Sequence, residues 1–376
     1  MKIARSLQPI IESDYSRRKV IVLLGARQVG KTTLLSQLAE GRRRVLWLNC
    51  DNVDDALLLE GRSSTELRAM LAPYDIAFID EAQRVAGIGL TLKKIGDLRL
   101  ETVVIVTGSS SLDLADEVYE PATGRLIEYR MFPFSLPELA AHSTERDERR
   151  LLATRMIFGL YPEVVTDPSH AKQVLMHLAD SYLYKDLLSF RGIKKPDLIQ
   201  KLVRALALQL GSEVSFHELA QLLGVDRGTV ESYINLLEKC FVVFRLDSYS
   251  RNLRNEIKKG KKIYFYDNGI RNAVLSNFAP LELRTDCGPL WENLMVSERV
   301  KRHAYRGSYA QLHFWRTHNQ QEIDLIEEED GQLRAYEFKW NPAKARTSSP
   351  PRAFVEAYPQ AAYQVVTPDD FWDFLL

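Results

Sequence analysis

Apolar positions along this chain follow two rhythms. In the first third they come as short unbroken runs, KVIVLLG (19–25), RRVLWLNCD (43–51), DIAFIDEAQ (75–83) and TVVIVTGSSS (102–111). Runs of that length, rich in β-branched residues, predict strands buried on both faces, as in a parallel sheet. Helical spacing intervenes: KTTLLSQLAEG (31–41) sets Leu34, Leu35 and Leu38 on one face, with Gly41 as a stop. From residue 198 the helical rhythm takes over. LIQKLVRALALQLG carries a stripe of Leu198, Leu202, Ala205 and Leu206, and SFHELAQLLGVDRGTVESYINLLEK (215–239) reads as two further helices around a tight LGV turn. Ser215 with Glu218 forms an expected capping box, and Asp226 an expected cap. CFVVFRLDSYSRNLRNEIKKGKKIYFYDNG (240–269) then reads as two strands around a loop, the shape of a winged helix.

The join between the first run and the first helix carries chemistry. Gly25, Gly30, Lys31 and Thr32 in GARQVGKTTLL fit the G-x-x-x-x-G-K-[ST] phosphate loop, and a strand before it with a helix after it meets the context that motif requires. Such a loop, spanning Gly25, Ala26, Arg27, Gln28, Val29, Gly30, Lys31, Thr32 and Thr33, aims backbone N–H groups and a helix N-terminus at one polyphosphate. Lys31 would neutralise β/γ oxygens, and Thr32 would offer a hydroxyl to Mg²⁺. The run at 75–83 ends in adjacent acids: Asp80 to hold Mg²⁺ and Glu81 to deprotonate the attacking water. Ser109, heading a triplet with Ser110 and Ser111, either senses the γ-phosphate from a neighbouring strand end or caps a helix. Arg125 is a candidate for stabilising the transferred phosphoryl group, in its own chain or on a neighbour. ATP, ADP and Mg²⁺ are the expected ligands. The strand pattern predicts a doubly wound parallel sheet, with one strand inserted between the phosphate-loop strand and the acidic one.

Composition restricts the remaining classes. With 45% hydrophobic residues, 27% charged and zero net charge, the chain has no global field to draw nucleic acid or membrane, so any such attraction is local. Cys50, Cys240 and Cys287 stand far apart, which fits reduced thiols, and no run approaches a membrane span. The N-terminus lacks the apolar core of a signal peptide, so a cytoplasmic location is expected.

The series GARQVGKTTLL, AFIDEAQR, VTGSSS, GRLIEYRMFPFSLPEL, GLYPEVV (159–165) and YLYKDLL (182–188) resembles a family of bacterial and archaeal AAA-type ATPases. In that family the core is followed by a C-terminal domain of unknown function that resembles restriction-endonuclease-like folds. The resemblance implies ATP binding and hydrolysis. It leaves the biological substrate open.

Two C-terminal features extend the reading. Residues 245–262 hold Arg245, Arg251, Arg254, Lys258, Lys259, Lys261 and Lys262 against Asp247 and Glu256, a basic wing suited to salt-sensitive contact with DNA phosphates; a protein-docking module or a solvated loop reads equally well. Farther on, Glu292 lies in a predicted helix, Asp324 in a strand, and Glu337 and Lys339 share one strand face. This E, D, E-x-K series resembles the restriction-endonuclease core, which implies Mg²⁺ on Asp324 and Glu337, completed by Glu292, with Lys339 at the scissile phosphate. His303, His313 and His318 lack ligand spacing. The expected organisation is an AAA-like ATPase core (1–137), a helical linker (138–196), a winged-helix segment (197–278) and an α/β endonuclease-like domain (279–376). Function reduces to two alternatives: ATP controlling a DNA-binding or nuclease-like region, or an ATP-driven switch acting on a protein partner or through self-assembly, with the second acidic site silent.

Overall fold

The computed structural model describes residues 3–108, 124–180, 196–250, 260–317 and 319–376. These form two compact units, Met1–Phe134 with Lys239–Phe241, and Ser135–Glu238 with Val242–Leu376.

The first unit is built on β1 (Val20–Gly25), β2 (Val45–Asn49), β3 (Ile76–Asp80), β4 (Val103–Gly108) and β5 (Leu126–Met131), ordered β2-β3-β4-β1-β5. Every pairing is parallel. β4 stands between β1 and β3, the insertion expected from the sequence. β1 and β3 are buried at every position, which is why they appear as unbroken apolar runs. β5 is partly exposed along LIEYR, so its pattern does not announce a strand. Helices Lys31–Ala39, Ser64–Leu71 and Ile88–Leu98 connect the strands, and Ser63 with Glu66 closes a capping box on the second. Parallel strands put all their C-terminal ends at one sheet edge, where β1 delivers the phosphate loop and β3 the acidic pair.

In the second unit the helix Pro196–Leu208 leads through β6 (Glu213–Val214) to helices Phe216–Leu223 and Arg227–Lys239, then β7 (Val243–Ser248) and β8 (Lys261–Phe265). Gly224, at φ 64°, ends the second helix, and the Val225 N–H donates to the Ala220 carbonyl at 3.0 Å. Asp226 accepts from the Thr229 N–H at 2.8 Å, as the sequence predicts, and Ser215 accepts from the Glu218 N–H, which is one half of the expected capping box. β6 and β7 both pair antiparallel with β8. β7 also pairs parallel with β9 (Gln311–Arg316), continuing into β10 (Glu322–Glu329), β11 (Gln332–Phe338) and β12 (Ala362–Val366). The expected boundary at 278/279 therefore does not divide the sheet: segments 197–278 and 279–376 share seven strands.

The GLYPEVV stretch has a structural explanation. Buried Asp267 accepts hydrogen bonds from Leu160 N–H at 2.7 Å, Gly269 N–H at 2.8 Å and Ile270 N–H at 3.2 Å, tying residue 160 to the start of the helix Asn268–Val274. Gly159 sits at φ 71°, ψ −157°, a region open essentially to glycine, and a Cβ there would meet Asp267 Oδ1 at 2.0 Å. Gly159→Ala is expected to cost about 3 kcal/mol or more, through backbone strain plus displacement of Asp267 from its three donors. Urea unfolding followed in the second unit checks this; an unchanged midpoint would mean that the latch carries no load.

Candidate functional site

The phosphate loop is shaped by close approach and by backbone conformation. At Gly25 a Cβ would lie 2.3 Å from the Met131 carbonyl oxygen of β5, so only glycine lets β1 end there. Gln28 (φ 58°) and Gly30 (φ 96°) turn the chain back into the helix that starts at Lys31. Ala26 and Val29 are buried, whereas Arg27, Thr32 and Thr33 are exposed. Lys31 is buried, and its Nζ donates to the carbonyls of Gly25 at 2.8 Å and Ala26 at 3.0 Å. Burial lowers its pKa to about 8, against the opposing pull of Glu81 and Asp80. An ammonium held among neutral carbonyls, beside a left-handed turn and a helix N-terminus, is a donor set that fits a polyphosphate.

Both carboxylate oxygens of Asp80 are held. Thr32 Oγ1 donates to Oδ2 at 3.2 Å, and Thr107 Oγ1 donates to Oδ1. Thr107 also accepts from the Glu81 N–H at 3.2 Å, so one residue of β4 positions both acids. Glu81 has φ 54°, a left-handed conformation uncommon outside glycine, asparagine and aspartate, and its carboxylate accepts from Gln83 Nε2 at 2.5 Å. That kink turns the acid away from the strand direction followed by Asp80.

Sequence reasoning missed two residues here. Thr107 is a polar residue at a strand end, two positions before Ser109, which lies outside the described residues. Arg5, buried, donates to the carbonyls of Val29 at 3.3 Å and Phe132 at 2.5 Å, bracing the loop from far upstream with no local signal.

Arg125 requires correction as a group acting on its own chain's nucleotide. Its carbonyl accepts from the Val20 N–H at the start of β1, and its side chain pairs with Asp97. The phosphate loop leaves from the other end of that strand, roughly 16–20 Å away by strand rise.

The C-terminal acids do gather. Asp324 on β10 accepts from the Phe338 N–H at 2.9 Å, beside Glu337 on β11, and Lys339 pairs with Glu337 at 2.5 Å. Glu292, on the helix Cys287–Arg306, accepts from Tyr264 Oη at 2.6 Å. Burial, then the Asp324 charge, push Glu292 and Glu337 each up to about 7, with Lys262 and Lys339 respectively working in the other direction. In the middle sits Lys262, fully buried, its Nζ 2.9 Å from Glu292, 2.5 Å from Glu322 and 3.7 Å from Asp324. Among the described residues no group of three His, Cys, Asp or Glu side chains is arranged to hold a metal ion.

Three cations of the basic wing lie within the described residues, and each is engaged internally. Lys262 is not a surface cation, Lys261 pairs with Asp247 at 2.6 Å, and Arg245 pairs with Glu238. Arg251, Arg254, Lys258 and Lys259 lie outside the described residues, as does His318.

Comparison with known proteins agrees with the first unit. Residues 17–140 match the AAA domain family, 149–281 a domain of unknown function (DUF8612), and 287–371 another (DUF4143). An uncharacterized protein of Haemophilus influenzae is 25% identical over 278 residues, covering 68% of each chain. One of Mycobacterium tuberculosis is 28% identical over 341 residues, covering 89% of this chain and 72% of its own. Among solved structures the Walker-type ATPase of Pyrococcus abyssi covers 73% of this chain and 96% of its own, at TM-score 0.52 and 16% identity, a likeness of fold. The first unit thus has a parallel-sheet fold like that of P-loop ATPases, and no described helix is long and apolar enough to cross a membrane.

Because Lys31 stands near pKa 8 without a bound anion, a polyphosphate arriving beside it raises that pKa and draws a proton from solution. ATP binding at pH 8.5 is expected to take up protons and to weaken as pH rises further, and Lys31→Ala to abolish it. Calorimetry in buffers of different ionisation enthalpy reads the uptake; none at pH 8.5 would contradict the assignment of Lys31.

Proposed function

We propose that this protein is a Mg²⁺-dependent ATPase that works as a nucleotide-driven switch, with its second unit as the responding part. The observation that carries the reading is the shared grip of Thr32 and Thr107 on Asp80, with Glu81 one residue beyond. In this reading Lys31 and the loop N–H groups hold the β and γ phosphates. Thr32 and Asp80 would hold Mg²⁺, which when bound supplies neutralisation of charge on the phosphate oxygens. Glu81, released from Gln83, orients and deprotonates water. Thr107 is placed to relay the state of the phosphate pocket, because it touches both Asp80 and the Glu81 backbone.

Glu81→Gln is expected to bind ATP as wild type does and to lose turnover by about 10²–10³, or ~2.7–4 kcal/mol of barrier. Nucleotide affinity and steady-state phosphate release measured together test this; equal turnover in the two proteins removes Glu81 as the base.

For the second unit, the order helix, strand, two helices and hairpin in segment 196–265 supports a winged helix, and the E, D, E-x-K strands support an endonuclease-like domain. We read that domain as silent, because Lys262 already supplies the positive charge that its carboxylates need. Burial alone would lower the Lys262 pKa; Glu292, Tyr264, Asp324 and Glu322 more than reverse this and raise it well above the ordinary value, so the ammonium persists. Removing one partner from a buried ion pair typically costs about 3–5 kcal/mol. Lys262→Met is accordingly expected to lower the melting temperature of the second unit and to recover part of the loss in millimolar Mn²⁺, while wild type gains nothing from Mn²⁺ there. A wild-type protein that nicks plasmid DNA in Mn²⁺, with Asp324→Ala inactive, would overturn the silent reading.

A further inference from the structure

The first unit has a second concave site, at the sheet edge opposite the phosphate loop. It is a cavity of about 710 Å³ at the N-terminal ends of β2, β3 and β4, lined by Arg18, Arg42, Arg44, Arg68 and Arg99. Facing these five guanidinium groups among the lining residues are two carboxylates, Asp75 and Glu101. Asp75 is engaged by Arg44 at 2.8 Å. Glu101 is 89% exposed and holds Arg18 at 3.2 Å, a surface pair of little worth. Arg68 reaches the Leu98 carbonyl only at 3.5 Å. Arg42 lies over the Tyr15 ring at 5.3 Å, and neither Arg42 nor Arg99 has a carboxylate partner among the described residues. In a chain of zero net charge, this concavity keeps three positive charges unanswered.

A separate observation comes from the backbone. Arg18 (φ 51°) and Arg99 (φ 44°) are both in the left-handed region, which favours glycine or asparagine. Arg99 also occupies the residue just past the helix Ile88–Leu98, where glycine is the usual choice. Folding alone would be served better by glycine at each place. Two strained arginines meeting at one cavity suggest that the guanidinium groups, rather than the turns, are what those positions keep.

We propose that this cavity binds the phosphate backbone of a nucleic-acid strand, independently of the ATP site. One free phosphate would use only part of a guanidinium set spread around 710 Å³, whereas successive phosphates of a strand use the whole ring. Tyr74 and Tyr15, with Arg42 Cζ 5.3 Å from the Tyr15 ring centre, add planar groups of the kind on which bases stack. Recognition of this kind is blind to sequence and strongly dependent on salt.

The test uses the full chain with a fluorescein-labelled single-stranded oligonucleotide, its anisotropy followed from low to physiological salt. Arg18→Gly with Arg99→Gly removes two charges while relieving both strained turns. That variant is expected to melt no lower than wild type, to bind about tenfold more weakly at low salt, and to show a salt slope shallower by about 1.4, two phosphate contacts at roughly 0.7 each. Arg18→Lys with Arg99→Lys keeps the charges and is expected to restore most of the slope. Arg42→Ala, which touches neither strained turn, gives an independent reading and is expected to lower the slope by about 0.7. An unchanged slope in the glycine pair and in Arg42→Ala would overturn the proposal. So would a wild-type protein that binds radiolabelled inorganic phosphate at this cavity but no oligonucleotide, which would make it a free-anion site.

Discussion

A buried ammonium has to be answered by something, and this protein answers two of them in opposite ways. Lys31 meets only carbonyls at hydrogen-bond distance, so its charge is solvated but not neutralised. Lys262 meets the carboxylates of Glu292 and Glu322, with that of Asp324 close by, so its charge is saturated. The difference decides what each pocket is ready to accept. A site in which an ammonium rests on carbonyls beside a helix N-terminus has donors to offer a polyphosphate. A site in which a lysine stands among the acids already holds one positive charge, and the cost of desolvating these groups is met in part by their pairing.

Much of the first pocket could be read from sequence because its geometry is local. Gly25 to Thr32 lie within one strand–loop–helix turn, and Asp80 and Glu81 end a strand whose burial on both faces makes it conspicuous. Thr107 is less legible, since its importance comes from β4 standing between β1 and β3, and three serines follow it closely in sequence. Arg125 misled for the opposite reason: proximity in sequence to an apolar segment says nothing about which end of a parallel strand a residue occupies. β5 itself was not read as a strand, because LIEYR alternates too weakly to declare one. Lys262 lay beyond any sequence reading. Its partners are 30, 60 and 62 residues away, and the run of lysines around it looks like a solvated loop.

The same contrast between local and distant determinants explains the GLYPEVV stretch. Its glycine is required by an acid more than a hundred residues downstream, since Asp267 fills the space where a Cβ would go. That requirement is structural, not catalytic. The pairing of β7 with β9 works likewise: a hairpin that reads as the end of one domain is continuous with the sheet of the next. A rearrangement in the hairpin would therefore be felt along β9 and β10, and Lys262 on β8 reaches the acids of β10 directly.

Counting Lys and Arg along the sequence pointed to the hairpin as the basic surface. The described part of that hairpin spends its charge internally, on Glu238, Asp247, Glu292 and Glu322. What matters for a polyanion is charge left over after internal pairing, concentrated where the surface is concave. By that measure the arginines at the N-terminal edge of the first sheet outrank Arg245, Lys261 and Lys262 of the hairpin, although neither their number nor their spacing in sequence marks them. Arg18 and Arg99 are held in conformations that glycine would occupy more cheaply, so the chain keeps charge there at a cost to its own folding. The ATP site and this cavity then occupy opposite edges of one parallel sheet. Both are formed by loops at strand ends, and β3 and β4 run from one to the other.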